Sequence, residues 1–160
     1  MLNRFLGSAA LSGFAGLLAW PRGGQAQASN PIAGFDHVAV PMRNTEAMVE
    51  FYRNLGLRVN EGRRICSVHF GHHKINFHRP SLWQDNQFRL RASAARPPCG
   101  DFCFVWQGTE DRLVAALRSA GAEVIEGPVS RQGGRDGGTA SGTSRYVRDP
   151  DGNLLEFIVY

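Results

Sequence analysis

Arg148-Asp149-Pro150-Asp151-Gly152-Asn153-Leu154-Leu155-Glu156-Phe157 reads as a tight turn entering the last strand of the chain. Pro150 presets φ, Gly152 admits φ > 0, and the Asp side chains bond nearby backbone, which together make strong turn chemistry. The apolar run that follows is strand by composition, with one carboxylate inside it. A carboxylate left unpaired in a buried strand costs several kcal/mol, so Glu156 needs a partner, for which His37 and Arg145 are candidates.

A faint internal repeat supplies the context. Asp36-His37-Val38-Ala39-Val40, Asn44-Thr45-Glu46, Leu55-Gly56-Leu57-Arg58-Val59 and Glu61-Gly62 form the first copy. Asp101-Phe102-Cys103-Phe104-Val105, Gly108-Thr109-Glu110, Ala120-Gly121-Ala122-Glu123-Val124 and Glu126-Gly127 form the second, offset by 64 residues from His37 to Asp101 and by 65 after the helix. Two copies of this length indicate a duplicated unit facing its twin rather than an array. Each copy reads as strand, helix, strand, strand, strand. Met48, Phe51, Tyr52 and Leu55 give one apolar helix face; Leu113, Val114, Leu117 and Ala120 give the other. Thr45 and Thr109 stand at N-cap positions, and Gly56 and Gly121 at C′ positions. Strands are predicted at Leu57–Asn60, Ile65–Phe70 and Lys74–His78, then at Glu123–Ile125, Thr143–Val147 and Leu154–Val159. Pro80–Pro98 reads as a linker and Ser130–Gly142 as a mobile, Gly-rich loop.

Strand parity selects the site. Residues two apart share a face. If Val38 and Val40, Phe102 and Phe104, Ile75 and Phe77, and Leu155 and Phe157 pack beneath the helices, the opposite face carries His37, Asp101, Asn76 with His78, and Glu156. Under the repeat, His37 is equivalent to Asp101 and Asn76 to Glu156. Tyr146, Ser144 and Arg148 share one face of their strand. Arg131 and Arg135 lie in the Gly-rich stretch, where they either meet an anionic substrate or stay solvated. His69, His72 and His73 straddle a Gly turn and read as loop residues rather than a metal cluster.

Residues 1–28 have the layout of a secretory signal peptide: a basic start at Arg4, an uncharged apolar run from Phe5 to Trp20, and Ala26-Gln27-Ala28. Export is the expectation and a cytoplasmic location the alternative. Residues 29–160 then form a single domain, with modules at about 34–79 and 100–160 joined by residues 80–99. Loss of Arg4 and Arg22 lowers the net charge from +4 to +2. The remaining arginines are dispersed, which argues against nucleic acid as a partner. No membrane association is expected after cleavage. Cys66, Cys99 and Cys103 do not form a disulfide framework. In an extended segment Cys99 and Cys103 would lie about 13 Å apart, so isolated buried thiols are expected, with a Cys66 bridge left open.

Asp36-His37-Val38, the Phe51-Tyr52-x-x-Leu55-Gly56-Leu57 helix end and Asp149-Pro150-Asp151-Gly152-x-x-x-Glu156 together resemble the vicinal oxygen chelate superfamily. It includes glyoxalase I, fosfomycin resistance proteins, bleomycin-binding proteins and extradiol dioxygenases. Lys74-Ile75-Asn76-Phe77-His78, the Asp101 strand and Glu126-Gly127-Pro128-Val129-x-Arg131 resemble most the group of glyoxalase-domain-containing protein 5. The resemblance implies an α+β fold of two paired βαβββ modules in an open, curled sheet around a cavity. It also implies a divalent metal ion (Zn, Ni, Mn or Fe) held by His37, Glu156, Asp101 and, within reach, His78. Glu156 and Asp101 would be the catalytic carboxylates, and Asn76, Tyr146 and Arg131 the contacts to a small-molecule substrate. Asn76 stands where Glu or Gln is usual, and Asp101 where His is usual. The implied activity is that of a lyase, isomerase or dioxygenase acting by bidentate chelation. The alternative is a metal-free binding protein of the bleomycin-resistance type. A homodimer is an arrangement the resemblance leaves open.

Overall fold

A computed structural model describes residues 31–160; the predicted leader, residues 1–28, lies outside the described residues. Of a first unit, Met1–Ala33, only residues 31–33 are described, and they are exposed. The second unit, Gly34–Tyr160, carries the fold. Among the described residues no helix is long and apolar enough to cross a membrane.

The repeat appears as two βαβββ modules. The first comprises β1 (His37–Pro41), α1 (Thr45–Asn54), β2 (Arg58–Glu61), β3 (Ile65–Phe70) and β4 (His73–His78). A linker containing the short helix α2 (Pro80–Trp83) leads to the second. This comprises β5 (Asp101–Val105), α3 (Glu110–Ser119), β6 (Glu126–Gln132), β7 (Ser141–Arg148) and β8 (Leu154–Val159). Each module forms its own four-stranded sheet, β1-β4-β3-β2 and β5-β8-β7-β6, with the first and last strands of the module parallel neighbours. Both sheets are open, and among the described residues no strand pairing joins one to the other. The α+β class holds.

Local chemistry places most elements where the sequence put them. Helices α1 and α3 end before a glycine with positive φ, Gly56 at 86° and Gly121 at 69°. Thr109 caps α3, its hydroxyl accepting from Arg112 N at 3.4 Å. Two expectations are corrected. The strand predicted at Glu123–Ile125 lies at Glu126–Gln132 instead. Gly127-Pro128 falls at an irregularity in the pairing of an edge strand, where proline is tolerated. Thr45 is the first residue of α1 rather than its cap, and the Asn44 side chain makes no cap bond. Instead, Asp151 reaches across from the β7–β8 turn and accepts from Arg43 N at 2.6 Å and Asn44 N at 2.8 Å.

That turn is a hub. Asp149 accepts from Asp151 N (3.1 Å), Asn153 N (2.9 Å), Asn153 Nδ2 (2.8 Å) and the Tyr52 hydroxyl (3.0 Å). Asn153 Oδ1 accepts from Cys99 N (3.0 Å) and Gly100 N (2.8 Å) at the end of the linker. The helix-bearing sides of both modules feed one apolar cluster, including Met48, Tyr52 and Phe77 from the first and Phe104, Leu113 and Leu155 from the second. Phe70 of β3 meets Phe104 of β5 edge to face at 5.0 Å between centroids.

The linker is anchored too. Trp83 Nε1 donates to Met42 O at 2.8 Å, and Phe88 packs edge-on against His78 at 5.4 Å. His78 is 6% exposed, and this burial lowers its imidazole pKa from 6.5. All three cysteines are free; Cys66 is buried, but Cys99 and Cys103 are exposed, against expectation. The buried-thiol reading failed because Cys99 sits in the linker and Cys103 on the face of β5 away from the helices.

Two outcomes follow for stability. Asp151→Ala should cost about 3 kcal/mol, the order for losing two hydrogen bonds to a charged acceptor, read as a lower urea midpoint. For His78, the unfolded chain takes up a proton as pH falls through 6.5 that the folded chain refuses, so stability drops on acidification below that value. His78→Leu should flatten the pH dependence of the urea midpoint below pH 6.5.

Candidate functional site

Parity places the expected residues on the faces turned away from the helices. Along β5, Phe104 is buried and Phe102 partly so, while Asp101, Cys103 and Val105 are exposed. Leu155 and Phe157 of β8 are buried, leaving Glu156 half-buried on the other side. Register sets Glu156 directly between Cys103 of β5 and Tyr146 of β7.

The partner Glu156 requires is Ser144, whose hydroxyl donates to Oε1 at 2.5 Å. Neither His37 nor Arg145 takes that role. His37 pairs with Asp36, and Arg145 with Glu110 at 2.8 Å. The signal for Ser144 was its shared parity with Tyr146 on β7. Cys103 keeps exposed surface, yet burial of its thiol, then the Glu156 and Asp101 carboxylates, push its pKa up to about 12. It is therefore a neutral S–H at physiological pH, not a thiolate nucleophile. The Tyr146 phenol is also raised, by burial first and by Glu156; Arg131 opposes the shift. Arg131 braces this tyrosine, with Nε donating to its hydroxyl at 3.1 Å and Nη2 to Glu126 at 2.8 Å.

The first module repeats the arrangement with other residues. Asn76 lies opposite Ala39 of β1 and Ser67 of β3, as Glu156 lies opposite Cys103 and Tyr146. The Ser67 hydroxyl donates to Asn76 Oδ1 at 2.7 Å. His37 stands two residues before Ala39, as Asp101 stands two before Cys103. Each face thus carries a diagonal pair, His37 with Asn76 and Asp101 with Glu156. His78 shares its face with Asn76 but is turned into the linker against Phe88. Its register equivalent, Ile158, is likewise buried.

Among the described residues of one chain, no three His, Cys, Asp or Glu side chains gather into a ligand set. Of the three histidines read as loop residues, only His72 lies in the turn; His69 belongs to β3 and His73 to β4, because both strands run up to the tight turn at Gly71. The donor chemistry of the two pairs, one imidazole, one amide and two carboxylates, suits a first-row divalent ion. It is divided between two faces whose modules share their core on the opposite sides. Separately, a largely apolar cavity of about 380 Å³ runs between the modules past Leu55, Leu57, Phe70, Phe104, Trp106 and Phe157.

Comparison with known proteins agrees with the fold. The model of the Glyoxalase/Bleomycin resistance protein/Dioxygenase superfamily matches residues 34–157. The chain is 32% identical over 148 residues to Glyoxalase domain-containing protein RDO1 of Mycosarcoma maydis, covering 91% of this chain and 77% of that protein. Virulence protein STM3117 of Salmonella typhimurium is 31% identical over 129 residues, 78% of this chain and 83% of that protein. Its crystal structure gives a TM-score of 0.69 at 30% identity over 81% of this chain and 98% of that one. An integron cassette protein from the mobile metagenome of V. Cholerae also gives 0.69 at 30% identity, over 81% and 96% of the two chains. With its duplicated βαβββ modules and a matching stretch that spans both of them, this chain belongs to the glyoxalase/bleomycin resistance protein/dioxygenase superfamily.

Proposed function

We propose that this protein is a metal-dependent enzyme acting on a small oxygenated substrate. Each site is assembled from His37 and Asn76 of one copy and Asp101 and Glu156 of a second copy of the chain. The observation that carries this reading is the equivalence of the two diagonal pairs, set on outward faces that one chain does not bring together. A divalent ion bound between them would supply Lewis-acid polarisation of two substrate oxygens.

The chain's own residues do the rest. Ser144 and Ser67 orient Glu156 and Asn76 by donating to them. Whichever of Glu156 and Asp101 is not engaged as a ligand takes and returns the substrate proton. Tyr146, held by Arg131, offers its hydroxyl beside Glu156. Cys103, neutral at physiological pH, lines the face without attacking substrate. Non-haem iron oxygenases use two imidazoles and a carboxylate. With His78 packed under Phe88, lyase or isomerase chemistry suits these residues better than ring cleavage. The apolar cavity between the modules favours a second reading, a metal-free protein that sequesters an apolar small molecule.

Metal analysis and mixed dimers separate these readings. The purified protein should retain stoichiometric divalent metal and sediment as a dimer. His37→Ala and Glu156→Ala should each lower metal content by about tenfold or more. Co-refolding the two variants should restore one intact site per mixed dimer, since one His37 and one Glu156 then face each other. A wild-type protein that takes up no Zn, Ni, Mn or Fe supports the sequestering reading instead.

A further inference from the structure

Of the stretch read as a loop, Ser130–Gly142, residues 130–132 belong to β6 and 141–142 to β7, and residues 133–140 form a hydrogen-bonded turn. Gly133 N donates to Ala140 O at 2.9 Å, Ala140 N to Arg135 O at 3.3 Å, and Thr139 Oγ1 to Asp136 O at 2.9 Å. It closes over the end of β8. A Cβ on Gly133 would lie 1.8 Å from the Tyr160 hydroxyl, so only glycine lets this ring sit beneath the turn. On that ring rests Arg135, its guanidinium carbon 4.2 Å from the centroid. Ring contact consumes none of the five guanidinium N–H donors.

Arg135 differs from its neighbour Arg131, which is engaged by Glu126 and Tyr146. Among the described residues Arg135 has no carboxylate partner. It lines a cavity of about 360 Å³ with Val105, Trp106, Gln107, Gly108 and Tyr160. Val105 belongs to the same face of β5 as Cys103, which stands opposite Glu156. Two residues of strand span about 7 Å. The cavity therefore lies further along this face than Glu156, beyond buried Ile158. Tyr160, on which Arg135 rests, is four residues or about 13 Å along the chain from Glu156, so a substrate that meets both groups spans that length.

We infer that Arg135 anchors an oxyanion, a carboxylate or phosphate, on the substrate that Glu156 meets, so that the substrate is an acid. This rests on the Glu156 face being the substrate site. A planar guanidinium matches both groups with paired N–H donors. The Tyr160 ring and the closed turn hold it in place, so little side-chain freedom is lost on binding.

Trp106 lines the cavity and reports on it. The purified protein is titrated with sodium phosphate and, separately, sodium acetate at constant ionic strength, following the Trp106 indole N–H by NMR. At least one anion should shift this signal saturably, and the tighter one identifies the acidic group. Arg135→Gln should weaken binding by at least about tenfold, as loss of a charge-assisted contact does. Arg135→Lys should retain part of it, and Arg118→Gln, an equal charge loss on the exposed side of α3, should change nothing. Glu156→Gln should leave anion affinity intact, which keeps this result separable from metal binding. No saturable shift, equal binding by Arg135→Gln, or loss of anion binding in Glu156→Gln overturns the assignment. Metal content and mixed-dimer recovery are read without either anion, so failure of one proposal is visible apart from the other.

Discussion

The carboxylates and amide of the β7–β8 turn hold the two halves of this protein to one another. Asp149 and Asn153 build the turn, Asn153 holds the end of the linker, and Asp151 pins the start of α1 from the other module. Tyr52, buried on α1, donates to Asp149. Burial raises the Asp149 pKa, while the bonds from Asn153 and Tyr52 favour its charged form. Polar groups in this position are costly unless satisfied, and here each carboxylate has several donors. The arrangement commits the helix-bearing sides of the modules to a common core.

That commitment governs where chemistry can occur. With the helix sides joined, the polar faces of both sheets are left open. Duplication made these faces equivalent in register, and divergence made them unequal in charge. His37 and Asn76 carry an imidazole and an amide; Asp101 and Glu156 carry two carboxylates. A second divergence covers one equivalent residue on each face, with His78 packed against the linker and Ile158 against the glycines of the β6–β7 turn. An imidazole used as a plug is acid-sensitive in a way that isoleucine is not.

Charge around Glu156 follows the same division. Burial, then the carboxylates of Glu156 and Asp101, raise the Cys103 thiol, and burial with Glu156 raises the Tyr146 phenol. Arg131 is spent on Glu126 and Tyr146, so it braces the face rather than offering a free cation. Arg135, four residues on, stands on an aromatic ring with its donors unclaimed by any carboxylate among the described residues.

Local rules made much of this legible in advance. Period-2 alternation assigned the faces of β1, β4, β5 and β8, because side-chain direction in a strand depends only on parity. The glycines after α1 and α3 and the Asp-Pro-Asp-Gly turn were readable because their conformations are set within a few residues. What the sequence determined, then, was the duplicated module, its strand faces and the residues set on them. Tertiary structure decided who partners whom. Ser144 rather than His37 or Arg145 answers Glu156, and Asp151 rather than Thr45 secures α1. It also decided that Gly127-Pro128 lies within an edge strand, and that the four site residues divide into two pairs on separate faces. Such pairings depend on which distant segments meet, and neither hydrophobic period nor turn chemistry encodes that.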